Sequence, residues 1–175
     1  MDLIETFQDL VLLGCIDQKE VFLSLFNYKV RPPILPVNQG NTDLCWLAAT
    51  TVMFQWKDTI KLSMQDCASR LDSIFVAKFL AHEALSYDDI LLWKSHGGFD
   101  AQGQQCLDAG GWQTLLELHG PLITLLDGTG GGTINHAVVV YGVNGDGSLD
   151  GTSLMVANSQ TGVAENKSRI YSAQR

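Results

Sequence analysis

Apolar residues at Leu3, Phe7, Leu10, Val11 and Gly14 fall on one helical stripe, so the chain opens with a predicted helix over residues 3–14. Val21 to Val30 is a second apolar segment that suits either helix or strand. Arg31-Pro32-Pro33-Ile34-Leu35-Pro36 is barred from helix, because proline fixes φ and pushes the preceding residue toward extended backbone. The clearest helical pattern runs from Cys45 to Trp56, with Cys45, Ala48, Ala49, Val52 and Trp56 on one stripe and Thr42 or Asp43 placed to cap its first turn. A mostly helical stretch, 63–92, follows and ends at the Gly97-Gly98 break. Gly110-Gly111 then opens a short helix, Trp112 to His119, which Gly120-Pro121 stops. Beyond it the pattern changes. Leu122 to Leu126, Ala137 to Val143, Leu154 to Asn158 and Arg169 to Tyr171 are short apolar or β-branched runs separated by Gly, Asn, Asp and Ser. A helical half followed by an antiparallel sheet is an α+β architecture.

At 175 residues the chain fits one domain with a real core, and 46% apolar against 17% charged residues is the balance of a folded globule. The net charge of −8, with no cluster of Lys and Arg, excludes a phosphate-binding surface and hence nucleic acid as a partner. No apolar run reaches the roughly 18–20 residues of a membrane span. Leu12-Leu13-Gly14-Cys15 has the form of a lipoprotein cleavage site. Asp2, Glu5 and Asp9 occupy the region that should be positive, so it is not read as a signal. Cysteines stand at 15, 45, 67 and 106, with no zinc-knuckle spacing, and read as reduced thiols of a protein folded in the cytoplasm.

One thiol has special neighbours. A cysteine attacks carbonyls as the thiolate, a form favoured by a helix N-terminus and by a nearby imidazole. Cys45 stands in the first turn of the best-defined helix. Acyl transfer also needs donors aimed at the developing oxyanion, which the Cys45 N–H and an upstream side-chain amide can supply.

The segment Val37-Asn38-Gln39-Gly40-Asn41-Thr42-Asp43-Leu44-Cys45-Trp46, followed by Ala48-Ala49, resembles the active-site segment of papain-like cysteine peptidases. In that family a Gln lies six residues before the Cys and a Trp directly follows it. Asp43-Leu44 replaces the usual Gly-Ser or Gly-Ala, which points to compact bacterial branches, including effector peptidases and bacteriocin-exporter leader peptidases. Asn135-His136-Ala137-Val138 places a His at the mouth of an apolar strand, and the next strand ends at Asn158-Ser159, where compact members often carry Asp-Pro. Trp112-Gln113-Thr114-Leu115-Leu116 with Gly120-Pro121-Leu122 looks like the helix and strand that precede that His. The resemblance spans about Leu35 to Gly162. It implies a papain-like fold, Cys45 as nucleophile, His136 as base, Asn158 as the residue orienting the imidazole, and Gln39 in the oxyanion site. It implies no metal or organic cofactor. His136 follows Cys45 by 136 − 45 = 91 residues, against about 130–150 in the papain and cathepsin group, so a trimmed fold with a shallow cleft is expected.

The competing bases are His82, read as mid-helix, His96, read as a loop residue, and His119, read at a helix C-terminus where an imidazolium is stabilised without function. Gly128 to Gly132 lacks the Gly-Lys-Ser/Thr of a phosphate loop and reads as a flexible loop over the cleft. Trp46, Trp112 or Tyr141 could wall a narrow cleft that admits small residues or paired glycines beside the scissile bond. Residues 1–30 read as an N-terminal extension and 31–175 as the peptidase domain. The resemblance further implies a protein or peptide substrate, an effector or toxin acting in a target cell after export from the producer's cytoplasm, and an immunity or inhibitor protein as partner. Two other classes fit the same residues: another acyl-transfer enzyme (peptidoglycan amidase, deamidase or transglutaminase) and a non-catalytic binding module of the same fold.

Overall fold

The computed structural model of the protein describes residues 25–101, 107–126, 136–148 and 150–167. The predicted helix at 3–14, the glycine loop 128–132 and the predicted strand at 169–171 lie outside the described residues.

Helix α1 (Cys45–Asp58) is apolar on all sides rather than amphipathic, and the packing follows from that. Its Ala49 and Val52 join a core with the sheet residues Val138, Val139, Val140, Leu154 and Val156. On the other side Leu44, Trp46 and Leu47 join Cys67, Leu71, Phe75 and Trp93 of the remaining helices. Those helices are α2 (Met64–Leu71), α3 (Ser73–Ala81) and α4 (Tyr87–Gly97), so the mostly helical stretch expected at 63–92 is made of three helices, the last running on to Gly97. Asp72 forces the first division by leaving helical backbone and accepting a bond from Ile74 N–H, which caps α3. Two threonines in α1 are fully buried. Each returns its hydroxyl to the carbonyl four residues back, Thr50 to Trp46 O and Thr51 to Leu47 O at 2.7 Å, and Trp93 Nε1 donates to Thr50 Oγ1 at 2.8 Å. No buried hydroxyl in α1 is left without a partner.

Helix α5 (Ala109–His119) is capped by Asp108, whose Oδ1 accepts from Gly111 N–H, and closed at Gly120. Around it stand β1 (Phe26–Lys29), β2 (Leu122–Leu126), β3 (His136–Gly145), β4 (Thr152–Asn158) and β5 (Val163–Lys167). The sheet is antiparallel and β3 is its spine. One edge of β3 carries β2 along its first half, with Leu126 opposite His136, and β1 along its second half, with Phe26 opposite Gly145. Its other edge carries β4, which in turn pairs with β5. Val21–Val30 thus resolves as strand over 26–29. Gly142 follows a register shift on the β3–β4 ladder, and a Cβ there would stand 2.6 Å from Tyr28 O, so the close approach of β1 requires glycine.

Among the described residues no helix is long and apolar enough to cross a membrane.

The tight seat of α1 on the sheet makes Ala49 intolerant of bulk. Ala49→Leu should destabilise the fold by about 1–3 kcal/mol, read from the midpoint of urea unfolding. Asp89 gives a second test. Lys78, then Ser86, holds its carboxyl at about 2, below the ordinary 3.8. A depressed carboxylate contributes its full stabilisation above the ordinary value and loses it as pH falls through the folded one. Stability should therefore decline between about pH 4 and pH 2, and Asp89→Asn should make that decline shallower in unfolding titrations.

Candidate active site

The chain reaches α1 through a compact loop. Gly40 takes a left-handed φ of 68° and its N–H donates to Asn38 Oδ1 at 2.7 Å, which turns the backbone so that the Gln39 side chain faces inward. The Thr42 hydroxyl donates to Gln39 O at 2.6 Å, so it does not cap the helix. Asp43 does not cap it either: the N-cap position is Leu44, with no side-chain bond. The expected cap is thereby corrected, and the physical result matters. Leu44 O takes the N–H groups of Leu47 and Ala48, while the N–H groups of Cys45 and Trp46 have no side-chain oxygen in front of them. They remain available to an incoming negative charge.

Gln39 is buried and its amide is fixed at both ends. Its Nε2 donates to Thr42 O, a pure acceptor, which identifies that atom as the nitrogen, and its Oε1 accepts from the Ser159 hydroxyl. Its own N–H donates to Ser159 O at 2.9 Å. One hydrogen of the Nε2 amide is then left over. Ser159 was invisible as a functional residue in the sequence except as the residue standing where compact relatives carry proline.

His136 is the first residue of β3, and Asn158 is the last of β4 on the adjoining strand. Their side chains meet, His136 Nε2 to Asn158 Oδ1 at 3.1 Å. The amide orientation is again decided by a backbone group. Gln160 N–H can only donate, and it points to Asn158 Oδ1 at 3.1 Å, so that atom is the oxygen. An acceptor facing Nε2 requires the proton on Nε2. In the neutral imidazole Nδ1 is then the basic nitrogen, free of this bond.

Cys45 is half-buried, and it lines an open cleft of about 740 Å³ together with Gln39, Asp43, Trp46, His136 and Gln160. Burial pushes its thiol up from the ordinary value; the backbone N–H groups of Ala137, Trp46 and Cys45 itself pull it down, and the Asp43 carboxylate adds a push upward. The bond from Ala137 puts the sulfur against the residue that follows His136. Burial is the largest of these influences and the net displacement is upward.

The other histidines stand differently from expectation. His82 is not mid-helix but the left-handed cap that ends α3, and it lines the cleft on the side away from the sheet. His96 is helical, in the last turn of α4, with Nδ1 3.1 Å from Leu71 O. His119 closes α5, as read. Of the three aromatic residues considered as cleft walls only Trp46 lines it; Trp112 and Tyr141 are buried in the sheet-side core, where β3 and α5 close over them. The wall beyond Trp46 is instead Leu85, Ile90, Trp93 and Leu125. The Trp46 and Ala137 backbone donors and this distant wall carry no local sequence signal, which is why residue reading missed them, whereas the Cys45 N–H was expected from its place at a helix start. Among the described residues no group of three or more His, Cys, Asp or Glu side chains is placed to hold a metal.

Asp43 is the charge that opposes thiolate formation here. Asp43→Asn should lower the thiol's pKa and speed iodoacetamide alkylation of Cys45 at neutral pH about twofold, the modest size expected for an exposed charge. An unchanged or slower rate would remove Asp43 from the thiol's electrostatics.

The family model described as papain-like cysteine protease AvrRpt2 matches residues 33–167, most of the chain. No curated protein and no solved structure matches it. The matched span includes the Gln39 loop, α1 and the strands bearing His136 and Asn158, so the α+β fold with its helical half and curled antiparallel sheet is papain-like. This chain belongs to the AvrRpt2 family of papain-like cysteine proteases and is a cysteine peptidase.

Proposed function

We propose that this peptidase cleaves proteins through Cys45, His136 and Asn158, with the Cys45 N–H and the Gln39 amide binding the oxyanion. The observation that carries the reading is the His136–Asn158 bond of 3.1 Å at the edge of the cleft that also holds Cys45 at an uncapped helix start. With Nε2 protonated toward Asn158, His136 Nδ1 takes the thiol proton as Sγ attacks the scissile carbonyl carbon. The carbonyl electrons move onto oxygen, where the two donors receive them. Collapse expels the amine, which takes the proton from His136 and leaves an acyl group on Sγ. His136 then removes a proton from water, the hydroxide adds to the thioester carbonyl, and Sγ departs and recovers its proton. Asn158 keeps the imidazole turned so that Nδ1 serves in both halves. No step calls on a metal or organic cofactor.

The membership in a family named for a papain-like protease, AvrRpt2, supports an effector role, in which the protein acts on proteins of a target cell after leaving the producer. An immunity or inhibitor protein that covers the cleft would protect the producer. A residue of small side chain, glycine first, is the proposed choice at the scissile bond. The motivation is the short 91-residue segment between Cys45 and His136, together with the resemblance to leader peptidases that cut after paired glycines.

Cys45→Ala should abolish hydrolysis while unfolding at the wild-type midpoint. His136→Ala should do nearly the same, and Asn158→Ala should lose less, because an unoriented imidazole still finds the productive angle part of the time. Peptide-library cleavage with product sequencing reads all three. New protein termini support a peptidase, whereas ammonia or muropeptide fragments as sole products would mean another acyl transfer on the same residues. Equal losses in His136→Ala and Asn158→Ala, with both folded, would give Asn158 a direct part in proton transfer.

A further inference from the structure

The far wall of the cleft is a short connection between α3 and α4, running from His82 to Ser86, and it is held unusually well for an exposed loop. His82, Ala84 and Leu85 all face the cleft. At the loop's start Glu83 N–H donates to Lys78 O at 3.0 Å, and Glu83 O accepts from Trp46 Nε1 at 3.1 Å. That second bond ties the rim to the residue directly after the nucleophile. At the loop's end Ser86 N–H donates to Asp89 Oδ2 at 2.8 Å and the Ser86 hydroxyl to the same oxygen at 2.6 Å, completing a capping box on α4. Lys78 joins the two ends: its Nζ lies 2.8 Å from Asp89 Oδ2 and 3.8 Å from Glu83 Oε2. Its side chain is only 17% exposed and that of Asp89 only 11%, so this pair is shielded from solvent in a way ordinary surface pairs are not.

His82 supplies an independent observation. It ends α3 at φ 58°, in the left-handed region where glycine is cheapest and a β-carbon is strained. The sequence spends that position on a histidine, and the residue lines the cleft. Strain kept at a ligand-facing position is a signature of function, since a stability-driven choice at a helix end would be glycine.

From these contacts we infer that the His82–Ser86 loop is a pre-organised substrate-binding edge, with His82 contacting the bound polypeptide and Lys78 as the positioning residue that holds both ends of the loop. The proposal rests on the peptidase reading of the cleft. His82 meets the substrate as a hydrogen-bonding group on an otherwise apolar wall of Leu85, Ile90 and Trp93, so the wall takes an apolar side chain and the imidazole fixes a polar group of the chain beside it. Because the loop is held in advance, binding does not have to order it, and the gain appears in affinity rather than in the chemical step.

The test uses the full chain and a fluorogenic peptide chosen from a library by wild-type cleavage. Lys78→Met should raise KM about tenfold with kcat within about twofold, while iodoacetamide alkylates Cys45 at the wild-type rate. Lys78→Arg, which can still pair with Asp89, should recover most of the lost affinity. His82→Gly should raise KM in the same way while the Tm stays unchanged or rises, since glycine relieves the left-handed cap. A merely structural Lys78 would lower Tm and leave KM alone, and that result overturns the proposal. So does a fall in kcat and alkylation together with KM, or a His82→Gly variant that binds normally. Should no library peptide be cleaved, the peptidase reading fails separately. Fluorescence anisotropy of the same peptides on Cys45→Ala, with and without Lys78→Met, then reads the edge by binding alone. Absence of any binding to Cys45→Ala, or equal binding with Lys78→Met, also overturns it.

Discussion

Helix α1 has to be buried on every side and yet leave its first turn open. Its Ala49–Val52 face seats against β3 and β4, and its Leu44–Leu47 face against α2, α3 and α4, so it is the common wall of the two cores. A helix so placed would ordinarily have its N-terminal donors covered by a cap. Here Thr42 turns its hydroxyl back to Gln39 O, and the cap position is an apolar leucine. The donors at Cys45 and Trp46 therefore stay exposed to the cleft, and the thiol sits among them. Packing fixes where the Cys45 thiol is, and the missing cap leaves backbone donors beside it.

Beside that apolar contact the two halves also meet along a polar seam at the cleft. Gln39, from the loop before α1, bonds both the backbone and the hydroxyl of Ser159, which directly follows Asn158 on the sheet side. The candidate oxyanion donor and the candidate orienting residue are thereby set by one stretch of chain. Gly162 closes the same seam: at φ 66° its missing Cβ leaves room for Asn38, whose Cβ would lie 2.7 Å from it. The helical half adds its own bracing through Lys78, Asp89 and Trp46. These contacts hold the polar groups of the cleft in place, as donors that must point at a developing charge require.

Much of this was legible in the sequence, and for definite reasons. The stripe from Cys45 to Trp56 has helical spacing, and the β-branched runs after Gly120-Pro121 have strand character, so the α+β division could be read directly. Gln39, Cys45, His136 and Asn158 stood out because the segments that carry them resemble those of papain-like cysteine peptidases. The division of 63–92 into three helices was not read, because Asp72 is an N-cap type inside an otherwise continuous apolar pattern and His82 ends its helix by a left-handed backbone that its residue type does not announce. The β5 strand over 163–167 was missed: it is short, and its alternation is masked by Glu165, Asn166 and Lys167. Ser159 meets Gln39 across 120 positions, and the His82–Ser86 rim is tied to the Cys45 helix by the Trp46–Glu83 bond across 37. Such pairings are set by topology, which no local pattern encodes.

The central claim is that Cys45 carries the acyl group between the two halves of the reaction. Acid quenching during turnover of a cleavable peptide, followed by intact-mass and digest mass spectrometry, tests it most directly. The account predicts one adduct per chain, equal in mass to the N-terminal peptide fragment as an acyl group, located on Cys45. Steady turnover with no adduct under conditions that trap thioesters, or with the adduct on another residue, would contradict it.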